Sequence, residues 1–121
     1  MTRSESLTKQ ISALDRIISE FAALSGEITD GIEAQKVLQT KLMVSDLRYI
    51  RQKELDEIAA GQGDDSSATP EQVRDLEGIL ARLKGYARSD QATSTAIAFL
   101  MQIATAVGQL GQPTLGMGPQ F

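Results

Sequence analysis

The chain has 121 residues, the length of one domain of moderate size. Its apolar fraction of 41% and charged fraction of 23% are those of a globular protein and exclude a wholly disordered chain. The formal net charge of −4 disfavours nucleic acid as the main partner, because a phosphate backbone binds surfaces rich in Lys and Arg.

The absence of Cys and His excludes several kinds of chemistry. No disulfide, thiol nucleophile or imidazole metal site can form, and the commonest general base is missing. The acidic pairs, such as Asp64 with Asp65, are typical of solvated surfaces and have no converging third group. We therefore predict no catalytic site, no metal site and no cofactor.

The first predicted helix covers about residues 5–60. Apolar residues recur in its first half at alternating steps of four and three, which is the stripe of an amphipathic helix. After Ile32 the stripe loses its frame, because Gln35 and Gln39 occupy positions where apolar residues are due and Leu38 with Leu42 lies beside them. Such a drift favours bundle packing over an extended two-stranded coil. The stripe comprises Leu7, Ile11, Leu14, Ile18, Phe21, Ile28 and Ile32.

Residues 25–31 leave two arrangements open. Gly26 and Gly31 each cost about 1 kcal/mol relative to Ala inside a helix, and Asp30 followed by Glu33 is the pattern of a capping box that starts a new helix. Against a break, Ile28 keeps the heptad frame of the preceding stripe. We favour one long, kinked helix; a break here would give a three-helix bundle instead.

A polar turn and a second helix complete the predicted fold. Residues 61–69, GQGDDSSAT, are rich in turn formers, and Thr69, Pro70 and Gln72 form a strong start signal for a helix over about 70–109. The sequence therefore predicts an all-α fold, a long antiparallel helical hairpin in one domain over 1–110. Residues 111–121, rich in Gly and Pro, are predicted to form an extended tail.

The C-terminal quarter has an unusual composition, because Asp90 is the last charged residue of the chain. The helical part of this segment is apolar nearly all round, which indicates burial in a core, in an assembly or in a membrane. A spanning helix is disfavoured, since Thr and Gln interrupt the roughly 20 apolar residues that a span needs. We favour burial by additional chains and keep a self-contained core as the alternative. The predicted interaction residues are Ile97, Phe99, Leu100, Met101, Ile103, Val107, Leu110, Leu115, Met117 and Phe121.

The tail is compatible with two states. Leu115, Met117 and Phe121 alternate with other residues, which fits a strand that inserts these side chains into a neighbouring subunit. Gly/Pro-rich termini are also often disordered.

The function predicted from these features is that of a non-enzymatic structural or assembly subunit. It would self-associate or join a filament, ring, tail or secretion apparatus through its uncharged C-terminal helix and tail. The alternatives are a small helical adaptor, chaperone or regulator that binds a partner helix, and a membrane-active exported protein.

The basic residues and the N-terminus lead to expectations about the partner and the compartment. A basic cluster that runs from Lys36 to Lys53 is expected to be a solvated helix face rather than a nucleic-acid site. The N-terminus, MTRSESLTKQ, has no apolar segment of a signal peptide, so we expect a cytoplasmic protein or one exported by a leaderless route.

Overall fold

The computed structural model describes residues 1–87 and 92–110. Within these ranges the chain forms four α-helices: α1 (Arg3–Leu24), α2 (Gly31–Ala59), α3 (Pro70–Lys84) and α4 (Thr93–Gln109). A 3₁₀ turn over Ser25–Glu27 follows α1, and the described ranges contain no β-strand. The predicted all-α class is confirmed.

The single long helix expected over residues 5–60 is corrected to two helices. Asp30 adopts an extended backbone conformation, with φ −84° and ψ 122°, and its side chain accepts a hydrogen bond from the N–H of Ile32. Asp30 is therefore an N-cap, and it starts α2 as a separate helix. The break near residues 25–31, which is the alternative to one kinked helix, is the arrangement that the structure has.

The second expected helix, over residues 70–109, is likewise divided. Its start is confirmed, because Thr69 and Gln72 form a capping box and Pro70 occupies the first helical position. α3 ends at Lys84 with Gly85 as its C-cap, and α4 begins after Ala92, which has extended backbone. Residues 88–91, between the two helices, lie outside the described residues. Neither arm of the predicted hairpin is one continuous helix.

The four helices alternate in direction. α2 runs antiparallel to α1, since Arg3 pairs with Glu54 at one end of the two helices and Arg48 with Asp15 further along. α3 then runs beside α1 in the same direction, and the guanidinium of Arg16 on α1 donates to the backbone carbonyl of Leu83 at 2.7 Å. α4 returns antiparallel to both, so the fold is an up-down-up-down four-helix bundle.

The core is mostly aliphatic, as the composition predicts, and α1 lies at its centre. α1 contacts each of the other three helices and buries more than the heptad stripe, because Ala13, Ile17 and Leu24 are buried as well. Other elements contribute fewer large side chains each. The largest fully buried ones are Phe21, Leu7, Leu14, Ile17, Leu24, Leu76, Leu100, Ile103, Val44 and Val107.

The connection over residues 61–69 is non-helical, as predicted, and it is tied to the start of α1. Gly61, with φ +78°, takes the left-handed conformation that ends α2. The Asp65 carboxylate accepts hydrogen bonds from the N–H and the hydroxyl of Ser4. Thr2 and Ser67 form an isolated antiparallel bridge, so α3 starts beside the N-terminus of α1.

Candidate interaction surface

The structure places most of the predicted interaction residues inside the chain's own core. Leu100, Ile103 and Val107 are fully buried, and Ile97 and Leu110 are nearly so. Side chains in these positions cannot contact a partner while the bundle stays folded. Phe99 and Met101 are partly buried and pack against the core. The remaining three, Leu115, Met117 and Phe121, lie outside the described residues.

The apolar composition of α4 follows from its three neighbours. The prediction of burial by other chains assumes that one long helix alone covers this segment. Because both arms are divided, α4 instead contacts α1, α2 and α3. A helix with packed neighbours on several sides is apolar over most of its circumference. The self-contained core therefore accounts for α4 without additional chains.

Phe99 is occupied by contacts within the chain. Its ring stacks on that of Tyr86, with ring centroids 5.4 Å apart and an interplanar angle of 10°. The guanidinium of Arg82 lies 5.8 Å from the centroid of Phe99, and that of Arg16 lies 6.0 Å from the centroid of Tyr86. These four side chains join α1, α3 and α4 by aromatic and cation–π contacts, which indicates a structural role for Phe99.

The exposed apolar surface of the bundle lies on α2. In the part of the chain that the structure describes, all of the large hydrophobic side chains that are clearly exposed belong to this helix, and their exposed fractions run from 47% to 70%. The buried face of α2 holds Val37, Val44 and Arg51. We call the exposed set the outer face of α2: it comprises Ile32, Leu38, Leu42, Met43, Tyr49 and Ile50.

The outer face is a single apolar arc with one charge in it. At about 100° per residue, its six members fall within roughly 140° of the helix circumference, opposite Val37 and Val44. Gln35, Gln39 and Asp46 share this arc between the first and last of these members. Several large hydrophobic side chains exposed on one face of a folded domain are typical of a binding surface, whereas single exposed hydrophobic residues are not.

Sequence reasoning missed this surface, although a signal for it was present. The heptad frame assigns Ile32 to the core stripe, yet Ile32 is 70% exposed because the break at Asp30 resets the orientation of the chain. The loss of frame after Ile32 reflects a helix with apolar residues on two opposite faces. Leu38 and Leu42, which depart from the stripe, belong to the second face.

The basic residues between Lys36 and Lys53 on α2 do not share one environment, because Arg48 forms a surface ion pair and Arg51 is buried. Arg48 pairs with Asp15, and this hydrogen bond raises the pKa of the Arg48 guanidinium. Arg51 is buried, and burial lowers the pKa of its guanidinium from the ordinary value. It donates to the side-chain oxygen of Gln10 at 2.9 Å and to the carbonyl of Leu110 at 3.1 Å. No continuous basic patch results along the described part of the helix.

Replacing Arg51 by methionine is expected to destabilise the bundle by about 2 kcal/mol, because Gln10 and the Leu110 carbonyl lose their buried donor. Urea unfolding followed by circular dichroism measures the change. The matched control is Arg48→Met, which removes an exposed ion pair and is expected to cost less than about 1 kcal/mol. Equal losses in the two variants would show that the buried hydrogen bonds contribute nothing beyond a surface pair.

A polar pocket of about 240 Å³ lies at the end of the bundle where α3 begins. Its lining has no carboxylate, and its principal polar side chains are paired inside the chain: Arg3 with Glu54, Gln10 with Arg51, and Thr69 with the N–H of Gln72. The pocket offers no acid–base pair for catalysis. It is lined by Arg3, Ser6, Gln10, Ser66, Ser67, Ala68, Thr69, Gln72 and Leu110.

Residues 1–87 and 92–110 hold no group of three acidic side chains close enough together to bind a metal ion. No helix there is both long enough and apolar enough to cross a membrane.

Comparisons of the chain with protein families, with curated proteins and with solved structures find no match.

Proposed function

We propose that this chain is a non-enzymatic assembly subunit that binds another protein through the outer face of α2. The single observation that carries the proposal is the concentration of exposed large hydrophobic side chains on that one helix face. Burial of such side chains is the main driving force of protein association. This function is the one expected from the sequence, but the binding surface that we propose lies on α2 instead of α4.

The composition of the outer face supports a protein partner. Tyr49 and Met43 belong to the residue types that are enriched at the centres of protein interfaces. A helix that lies on an anionic membrane carries an excess of Lys and Arg on its polar side. α2 has no such excess, because its acidic residues are as many as its basic ones. A carboxylate in the middle of the arc, Asp46, further disfavours insertion into hydrocarbon.

A photo-crosslinking experiment tests the proposal, and it works for any protein partner. A benzophenone amino acid is placed at Leu42, in the middle of the outer face, and the full chain is irradiated in cells that produce it naturally. The control carries the same group at Glu77, an exposed position on α3. We expect a defined covalent adduct with one protein, identified by mass spectrometry, at position 42 only.

The outcome separates the proposed surface from its alternatives. Equal labelling at both positions, or no adduct at position 42, would overturn the assignment of the outer face as a binding surface. An adduct with a protein other than this chain would support the adaptor form of the proposal. An adduct with a second copy would support the self-assembling form.

A further inference from the structure

We infer that the occupant of the outer face is the same face of a second copy, with the two α2 helices antiparallel about a two-fold axis. The inference rests on the proposed function and names its partner. Most homo-oligomers are closed two-fold dimers, in which one surface must complement itself. The outer face meets that requirement in one direction of pairing and not in the other.

A two-fold axis that crosses α2 level with Lys41 pairs the isoleucines at the two ends of the outer face. Ile32 and Ile50 lie equally far from this point on either side, so Ile32 of one copy lies level with Ile50 of the second. Gln39 and Met43 are likewise symmetric about it. The ends of the strip are thus both closed by an isoleucine pair, and Leu42 lies next to the axis in both copies.

The same axis also pairs opposite charges. Lys36 and Asp46 are each five positions from Lys41, so Asp46, the one charge within the apolar strip, meets the lysine at the border of the strip in the second copy. Lys53 comes within one residue of the level of Asp30. The two-fold axis makes each of these pairs twice, and antiparallel helix dipoles are favourable as well.

Parallel pairing in register has the reverse effect. It would set Asp46 against Asp46 of the second copy in the middle of the apolar strip, and Lys53 against Lys53 at its end. Like charges that face each other across an interface oppose association and select against that arrangement. The charge pattern of α2 therefore favours the antiparallel dimer.

The size of the surface sets the expected affinity. With the axis level with Lys41, the two α2 helices overlap over residues 31–51, which is about 31 Å at 1.5 Å per residue, and a helix is roughly 10 Å wide. These faces are small for a specific interface, so we expect a weak dimer with a dissociation constant on the order of 10 μM. The dimer is therefore expected to form and dissociate over the concentrations that sedimentation measures.

Cysteine crosslinking tests the geometry, and the chain has no cysteine of its own to interfere. Full-length Ile32→Cys and Ile50→Cys variants are oxidised separately and as an equal mixture, at about 100 μM, well above the expected dissociation constant. We expect a disulfide dimer in the mixture and little in either variant alone, because equal positions lie some 27 Å apart in the antiparallel pair at 1.5 Å per residue. Leu42→Cys, beside the axis, is expected to crosslink to itself. Glu77→Cys on α3 measures the collisional background.

Three results would overturn the inference. Self-crosslinking of both Ile32→Cys and Ile50→Cys would assign a parallel pair. Crosslinking at the Glu77→Cys level in every sample, together with a monomeric mass, would exclude self-association; a single foreign adduct at Leu42 in the photo-crosslinking experiment would then still support the proposed function. A chain ending at Leu110 that dimerises while the full chain stays monomeric would assign the outer face to residues 111–121.

Discussion

Replacement of Leu100 by aspartate is expected to unfold the chain. Leu100 is fully buried in the middle of α4, among the apolar side chains of the core, where a carboxylate would be removed from water. An unpaired buried charge of this kind costs more than about 4 kcal/mol, which is most of the stability of a small domain. Circular dichroism at 25 °C measures the loss of helix.

The matched control is the same change on the outer face, Leu42→Asp. Leu42 is 60% exposed, so its carboxylate remains hydrated and the free energy of unfolding is expected to change by less than about 0.5 kcal/mol. Both leucines are central in their helices, and the contrast depends only on which surface the chain itself covers. A folded Leu100→Asp variant would contradict the placement of α4 in the core.

Truncation of the chain after Asp90 is expected to abolish folding. The missing part includes Ile97, Leu100, Ile103 and Val107, four large side chains with exposed fractions of 4% or less. Burial of each contributes about 2 kcal/mol, so the total loss is comparable to the whole stability of a domain. Urea unfolding measures whether a cooperative transition remains.

The control for that truncation is a chain that ends at Leu110. It keeps all four helices and the bond from Arg51 to the Leu110 carbonyl. We expect it to unfold cooperatively with the helical content of the full chain. A cooperative transition in the chain that ends at Asp90 would show that α1, α2 and α3 form a bundle without α4, and it would revive an external role for the C-terminal helix.

Local signals in the sequence predicted the helix boundaries that depend on neighbouring residues. The start of α3 follows from the side chains of Thr69, Pro70 and Gln72, and the structure has the expected capping box. At the break before α2 two local signals conflict: the Asp30 cap favours the start of a new helix, whereas the apolar frame that continues to Ile28 favours one long helix. The structure has the new helix, because Asp30 caps α2 while Ile28, outside both helices, stays half-buried against the core.

The location of the exposed apolar face could not be predicted in the same way. Periodicity shows that a helix has an apolar side, but it does not show how many neighbours the helix has. α4 is apolar nearly all round and is covered by three helices, whereas α2 has two apolar faces and its own chain covers one. That difference arises from the packing of all four helices together. The binding surface that we propose therefore includes Leu42 and does not include Leu100.

Sedimentation equilibrium of the full chain and of Leu42→Asp, from about 1 to 300 μM around the expected micromolar dissociation constant, tests the central claim most directly. We predict that the mass of the unmodified chain rises with concentration from 13.0 kDa towards that of a dimer. We also predict that Leu42→Asp keeps the same circular dichroism spectrum and stays a monomer. Association of Leu42→Asp with the same dissociation constant as the unmodified chain would contradict the claim that the outer face of α2 carries the interaction.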